Sequence, residues 1–239
     1  MLNKEKLITD LKELHIEIVE VYKHIFQYKF ENDASFQLLI EEEYKRESIE
    51  KEADKFTWNV QYLHRSAYTL LNKILFIRIC EDKGFMLNDN DKVMGRELDI
   101  KIGQKLSMIG LQKWSNLISN YSLTELIKFA FKDMNKSYKN IKLYKDNLYD
   151  WLIPNNNDIE NSFIKDDDFE YYRNFEMLLK RIIETLDTSR YNFGASTDNV
   201  LGDVYEKFMD RETRKKLGQF YTPDYIIEYI LINTVEKTN

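Results

Sequence analysis

The sequence is poor in the residues that β-proteins use at their corners, with only 7 glycines and 2 prolines among 239 positions. A chain of many strands needs such turn residues at each reversal. Their scarcity, together with 32% charged and 43% hydrophobic residues, favours a helical protein over a disordered one. We therefore expect an all-α fold, mainly a helical bundle, with room for one small hairpin within residues 85–110.

Cysteine is almost absent too, and the single Cys80 excludes an internal disulfide. Its neighbours Ile77 and Ile79 indicate a buried thiol in a reducing compartment, which predicts a cytoplasmic location. The charged first ten residues lack the apolar core of a signal peptide. No apolar run reaches the length that spans a bilayer, so we expect no membrane partner.

Positive charge is in deficit as well, since the formal net charge is −6. A DNA-binding protein usually shows a basic face. The overall charge therefore argues against this chain being the main DNA-binding part of a protein. A local basic strip is compatible with that overall charge. Aromatic residues make up 14% of the chain, which predicts a core rich in rings.

Apolar residues at alternating spacings of four and three predict two long amphipathic helices. The first runs from about Lys4 to Lys29 and the other from about Asp54 to Lys83, with a more charged helix between them. The two seams are Leu7, Leu11, Leu14, Ile18, Val21, Ile25 and Tyr28, and Phe56, Val60, Leu63, Ala67, Leu70, Ile74 and Ile77.

The helix from Asp54 to Lys83 becomes apolar around most of its circumference, so we expect it to be the central post of the bundle, ended by Gly84. Arg78 has Glu81 and Asp82 three and four positions further on. We interpret them as local helix pairs worth a few tenths of a kcal/mol.

Further elements follow at lower regularity. Ser122 and Glu125 form a predicted capping box for a helix ending near Lys136. Residues 150–162 are interpreted as a surface loop, and residues 168–186 as another helix. The polar stretch 187–198, with Tyr191 and Phe193 as anchors, separates a bundle of residues 1–190 from a segment of residues 191–239.

The most informative stretch is Leu201–Ile232, LGDVYEKFMDRETRKKLGQFYTPDYIIEYILI. Thr222 suits an N-cap and Pro223 the first position of a helix. Gly218, two aromatic rings and a capped helix N-terminus together could hold a small ligand with a negative group. The alternative is an ordinary junction between a loop and a helix.

This stretch closely resembles the segment just upstream of the catalytic core in the amino-group DNA methyltransferases of restriction–modification systems. The Phe-Tyr-Thr-Pro form resembles the adenine-specific (N6) enzymes of the type I and type IIG kinds, with cytosine as the alternative methylated base. That family has a Leu-Gly-x-x-Tyr-Glu helix, a basic run, and Gly-x-Phe-Tyr-Thr-Pro before a helix. Here the motifs begin at Leu201 and Gly218. A Tyr-x-Phe at Tyr191 and the NKILFIRICEDKGF end of the third helix resemble the family too.

The resemblance implies a pocket for S-adenosylmethionine, to which this chain would contribute Gln219, Phe220, Tyr221, Thr222 and Pro223. It implies double-stranded DNA as a substrate, with specificity or restriction subunits as possible further partners in phage defence. The basic run is the candidate for DNA backbone contact, since such contacts come from clustered Lys and Arg. Its alternative role is to compensate a helix dipole. The residues are Arg211, Arg214, Lys215 and Lys216.

Catalysis in that family is implied to need a Gly-rich loop of the Asp-Pro-x-x-Gly-x-Gly kind and an Asn-Pro-Pro-aromatic motif, and this sequence contains neither. We expect the catalytic sheet to begin beyond Asn239, so the chain has no catalytic residue of its own and should not transfer methyl groups alone. The spacing of His15, His24 and His64 gives little support for a metal site. Glu43-Tyr44-Lys45 has a nuclease-like Glu-x-Lys form but lies in a predicted helix.

The sequence is compatible with two hypotheses. In the first, the chain is the helical N-terminal part of such a methyltransferase. In the second, it is a non-enzymatic helical interaction module, whose seams on the first and third helices are partner surfaces.

Overall fold

A computed structural model describes residues 2–51, 54–85, 105–108, 110–112, 122–137, 141–145, 147–153, 169–195, 200, 202 and 204. Throughout these residues the backbone forms helices, turns and bends and no strand, which confirms the predicted all-α fold. Of the range 85–110, in which a hairpin was expected, only 85, 105–108 and 110 are described, and the rest lies outside the described residues.

Five helices carry the described fold, and each helix predicted between residues 4 and 186 is found with its ends shifted by a few residues. The helix predicted after Pro223 lies outside the described residues. Two short 3₁₀ turns, Lys142–Tyr144 and Leu148–Asp150, lie between the last two helices. The helices are α1 (Lys4–Asn32), α2 (Ala34–Lys51), α3 (Lys55–Asp82), α4 (Leu123–Ser137) and α5 (Phe169–Thr185).

Side chains at the helix ends explain these boundaries. Asp54 begins α3 by accepting a hydrogen bond from the Thr57 backbone N–H at 3.0 Å. Gly84 follows α3 with φ +73°, the left-handed conformation that glycine adopts without strain. The predicted capping box is confirmed, because Ser122 N–H donates to the Glu125 carboxylate at 2.9 Å and Glu125 N–H donates to Ser122 Oγ at 3.2 Å.

The two apolar seams face the interior of this chain. Helix α1 packs against both α3 and α5, and the α1 seam is buried except at the half-buried Val21 and Tyr28. The α3 seam is buried from Leu63 onward. Packing between α1 and its neighbours covers most of both seams, whereas Phe56 and Val60 at the start of the α3 seam are 78% and 39% exposed. The seams are therefore mainly core surfaces of this chain.

Helix α3 is the central post, as predicted. From Leu70 onward its buried residues point in every direction around the helix, and α3 also contacts both 3₁₀ turns. The buried residues in this half are Leu70, Leu71, Lys73, Ile74, Leu75, Ile77, Arg78, Ile79, Cys80 and Glu81.

The predicted surface loop 150–162 is wrong at its start. Asp150, Trp151, Leu152 and Ile153 are all buried. The Trp151 ring lies 5.3 Å from the ring centroids of both Tyr22 and Phe36, and its indole N–H donates to Ser66 Oγ at 3.2 Å. Because its indole N–H is hydrogen-bonded, the Trp151 ring can lie in the core. The polar residues that follow it in sequence therefore did not indicate where it lies.

The contacts divide the chain into two units, Met1–Ser196 and Thr197–Asn239. In the second unit the described residues are Val200, Gly202 and Val204, and all three are helical, as predicted for the helix around Leu201. Within the described residues, none of the helices combines the length and the apolar character needed to cross a bilayer.

Candidate functional site

The residues predicted to bind the cofactor, Gln219 to Pro223, lie outside the described residues, as do the predicted DNA contacts. The latter are Arg211, Arg214, Lys215 and Lys216. What the structure does describe is the segment that precedes them along the chain. Residues 186–195 end the first unit, and a buried ionic cluster holds them in place.

Arg78 is the centre of this cluster and is completely buried. Its guanidinium donates to the Glu81 carboxylate at 2.5 Å and to the Asp82 carboxylate at 2.9 Å. It also donates to the Leu186 carbonyl at 3.1 Å and to the Thr188 hydroxyl at 2.6 Å. One arginine thus joins the C-terminal end of α3 to the chain that follows α5.

The two carboxylates extend the cluster to further segments. Asp82 accepts from the Phe193 backbone N–H at 3.1 Å and from the Thr188 hydroxyl at 2.8 Å. Glu81 accepts from the backbone N–H groups of Lys105 and Leu106, the latter at 2.8 Å. We call Arg78, Glu81 and Asp82 the α3 anchor, because they hold residues 105–106 and 186–193 against the end of α3.

The interpretation of these residues as local surface pairs is wrong. The side chains of Glu81 and Asp82 are 0% and 2% exposed, so all three charges are removed from water. Breaking such a pair costs far more than a surface pair contributes, since the remaining charge stays buried without compensation. The signal was in the sequence, because Arg78 lies between Ile77 and Ile79 on a helix that is apolar all round.

Gly194 allows the chain to lie close to the Asp82 backbone at the end of α3. A Cβ atom at this position would lie 2.4 Å from the Asp82 carbonyl oxygen, which is closer than real Cβ contacts allow. Tyr191 and Phe193, just before it in sequence, are buried, as predicted for anchors, and the Tyr191 hydroxyl donates to Asp10 on α1 at 2.7 Å. Residues 191–194 therefore contact both α1 and α3.

A second buried ion pair lies about one and a half helical turns before Arg78, where Lys73 of α3 contacts Asp150. The Lys73 Nζ lies 2.6 Å from the Asp150 carboxylate, and both residues are buried. Asn147 also donates to Asp150 at 2.8 Å, and the Tyr144 hydroxyl donates to the Lys73 carbonyl at 2.7 Å. These contacts attach the two 3₁₀ turns to α3, which sequence spacing could not reveal.

Two histidines that are far apart in sequence meet between α1 and α3. His15 Nε2 lies 2.8 Å from His64 Nδ1, and the His15 ring stacks on Tyr68 with centroids 4.0 Å apart. Burial, followed by the neighbouring His64, lowers the pKa of His15 to about 4. Burial also lowers the pKa of His64. Both rings are therefore neutral at pH 7, and no helical spacing within one element could have predicted their pairing.

Cys80 lies between the anchor residues and is buried, as predicted. Burial, followed by the nearby Glu81 carboxylate, raises the pKa of the thiol to about 11. A thiol in this state is a poor nucleophile at neutral pH. In the described part of the chain, no group of three or more His, Cys, Asp or Glu side chains is placed to hold a metal ion.

Comparison with known proteins finds a distant relative of this chain. The chain is 30% identical over 194 residues to a protein of Methanocaldococcus jannaschii described as a "Putative type II restriction enzyme and methyltransferase". The similarity covers 71% of this chain but only 14% of the relative, so the chain spans a small part of that protein's length. No family profile and no solved structure matches the chain.

Proposed function

We propose that this chain is the helical N-terminal part of an S-adenosylmethionine-dependent, adenine-specific DNA methyltransferase from a restriction–modification or phage-defence system. The observation that carries the proposal is the similarity to a relative described as both a restriction enzyme and a methyltransferase. The motif resemblance at residues 201–223 also supports it, and an all-α first unit is compatible with it.

In this proposal the α3 anchor holds the chain that leads to the cofactor segment. Arg78 and Asp82 bind residues 186, 188 and 193, which directly precede the second unit in sequence. Gln219 to Pro223 would then form one side of the cofactor pocket. The two aromatic rings could stack on the adenine ring of the cofactor, and the capped helix N-terminus could bind its carboxylate.

Methyl transfer would need groups that this sequence does not contain. The target base must leave the DNA stack and enter a closed pocket before its amine can react. Neither the Gly-rich loop nor the Asn-Pro-Pro-aromatic motif that builds such a pocket in the resembling family occurs in these 239 residues. The chain would therefore contribute binding and positioning, with the chemistry supplied by a catalytic domain.

The cofactor role is tested by replacing Tyr221 in the protein encoded by the complete reading frame. Loss of one stacking ring is worth about 1–3 kcal/mol, so Tyr221→Ala should weaken S-adenosylmethionine binding about tenfold in an equilibrium titration. Tyr171→Ala, a half-buried tyrosine on α5, is the matched control and should leave the affinity unchanged. Equal affinities for all three proteins would exclude Tyr221 from the pocket.

The DNA role is tested by the salt dependence of binding. Each phosphate contact that is lost should reduce the slope of log K against log salt by about 0.9, so the double variant Arg214→Ala, Lys215→Ala should show a slope smaller by up to about 2. Lys180→Ala removes a lysine whose side chain is 70% exposed on α5 and serves as the control. An unchanged slope in the double variant would assign the basic run to the helix dipole instead.

The second candidate function, a non-enzymatic interaction module, is supported by a different observation. An open groove with apolar lining residues lies between α1 and α5, beside the α1 seam, whose Val21 and Ile25 line it. The two functions are compatible, because a methyltransferase subunit could bind a partner through this groove. Methyl transfer by the complete protein would exclude a purely non-enzymatic module.

A further inference from the structure

The groove between α1 and α5 leaves large apolar side chains in contact with solvent. It has a volume of about 650 Å³, and its floor includes the half-buried Val21 and the buried Ile25 and Leu178. Ile16 on α1 is 62% exposed and Met177 on α5 is 60% exposed. A groove of this kind, formed by two helices and with apolar residues along it, has the form of a site that binds an amphipathic helix.

Carboxylates surround this apolar strip. Glu17 forms an ion pair with Arg181 across the groove at 2.8 Å, so these two charges compensate each other. Glu20 and Glu170 also line the groove and have no ion-pair partner among the described residues. With His24 as the remaining titratable side chain besides Tyr171, the groove presents two uncompensated negative charges beside its apolar residues.

The dimensions of the groove suit a helix. Its lining on α5 extends from Glu170 to Arg181, which at 1.5 Å per residue is about 16 Å, or three helical turns. A helix lying in this groove would place apolar residues at i, i+3 or i+4 and i+7 against Ile16 and Met177. Lysine or arginine beside that stripe would then lie next to Glu20 and Glu170.

We propose that the α1–α5 groove binds a basic amphipathic helix of a partner protein. Charge complementarity selects this occupant over the others. A DNA backbone would meet Glu20 and Glu170 with like charge, and a second copy of this chain carries the same net charge of −6. This proposal is independent of the methyltransferase activity.

The probe is a fluorescent peptide of about 18 residues, built from leucine and lysine with leucine at helical i, i+3, i+4, i+7 spacing. Two matched peptides replace every lysine by glutamate or scramble the order of the same residues. Fluorescence anisotropy with the full chain at physiological ionic strength should show binding in the roughly micromolar range for the ordered basic peptide and at least about tenfold weaker binding for the others.

Variants of the groove locate the binding. Binding of the basic peptide should be weakened at least about tenfold by Met177→Lys, and likewise by the double variant Glu20→Lys, Glu170→Lys. The controls are Leu38→Lys, which changes a side chain of the same 60% exposure on α2, and the exposed Glu42→Lys, and both should bind like the wild type. Circular dichroism and urea midpoints confirm that each variant is folded.

Several outcomes would overturn the proposal. Equal binding of the ordered and scrambled peptides would show nonspecific attraction, and equal losses in the groove and control variants would place the binding elsewhere. If sedimentation shows a dimer that Met177→Lys abolishes, the groove binds a second copy of this chain. If Met177→Lys weakens the binding of a DNA duplex, the groove belongs to a nucleic-acid interface instead.

Discussion

Gly194 and Gly84 are both required by the backbone, but for different reasons. Gly194 is needed for space, because a Cβ atom would collide with the Asp82 carbonyl oxygen. Gly84 has open space around it and is needed for its positive φ. We expect Gly194→Ala to lower the free energy of unfolding by about 1–3 kcal/mol through steric strain, and Gly84→Ala by about 1–2 kcal/mol through backbone strain.

Urea denaturation measures both changes. Amide hydrogen exchange separates them, because Gly194→Ala should loosen residues 186–193 while Gly84→Ala should act only at the end of α3. Wild-type stability and exchange in Gly194→Ala would contradict the contact between residue 194 and α3.

His15 makes the stability of the first unit depend on pH. Its pKa is about 4 in the folded protein and about 6.5 when unfolded, so the unfolded chain binds the proton more tightly. The stabilising contribution is present above pH 6.5 and is lost as the pH falls from 6.5 toward 4. The shift corresponds to about 3 kcal/mol, and the lowered pKa of His64 acts in the same direction.

Replacing His15 by phenylalanine keeps a ring beside Tyr68 and removes the titrating group. We expect the free energy of unfolding of His15→Phe to fall less steeply than that of the wild type between pH 6.5 and 4. His24→Gln, an exposed histidine of the same helix, is the control. Parallel pH profiles for the wild type and His15→Phe would show that the buried histidine pair does not titrate on unfolding.

Among the elements, α3 holds most of the first unit together, and its anchor provides a direct comparison between a buried and an exposed ion pair. Arg78 and Asp82 are four positions apart and buried, while Lys180 and Glu184 have the same spacing and order on α5 but are 70% and 57% exposed. We expect Arg78→Ala to cost about 3–5 kcal/mol. Lys180→Ala should cost less than about 0.5 kcal/mol.

Thermal and urea unfolding of the two variants test this difference. If Arg78→Ala does not fold, Thr188→Val provides the milder test. It removes a single hydroxyl that contacts both Arg78 and Asp82, and it should cost about 1–3 kcal/mol. Losses of similar size in Thr188→Val and Lys180→Ala would contradict the account of a buried anchor.

The sequence predicted the helices well because their signals are local. Apolar spacing located α1 and α3, the Ser122–Glu125 box located the start of α4, and Gly84 located the end of α3. The contacts between elements could not be predicted, because the His15–His64 and Lys73–Asp150 pairs join residues that only tertiary packing brings together. The prediction of a surface loop failed at its buried start, Asp150 to Ile153, for the same reason.

At the scale of the whole molecule, the candidate site is predicted only by motif resemblance. The cofactor and DNA segments lie outside the described residues, so their assignment depends on the motifs at residues 201–223 and on the distant relative. The structure contributes the buried anchor that holds residues 186–193, just before those motifs in sequence.

The most direct measurement of the central claim is methyl transfer to DNA. The coding DNA past the codon for Asn239 is read first, and the 239-residue chain and the product of the complete reading frame are then each incubated with labelled S-adenosylmethionine and duplex DNA. Nucleosides from the digested DNA are separated by mass spectrometry. We predict N6-methyladenine from the complete product and no transfer by the 239-residue chain. Methylcytosine alone, no methylated base from the complete product, or transfer by the 239 residues alone would contradict the proposed function.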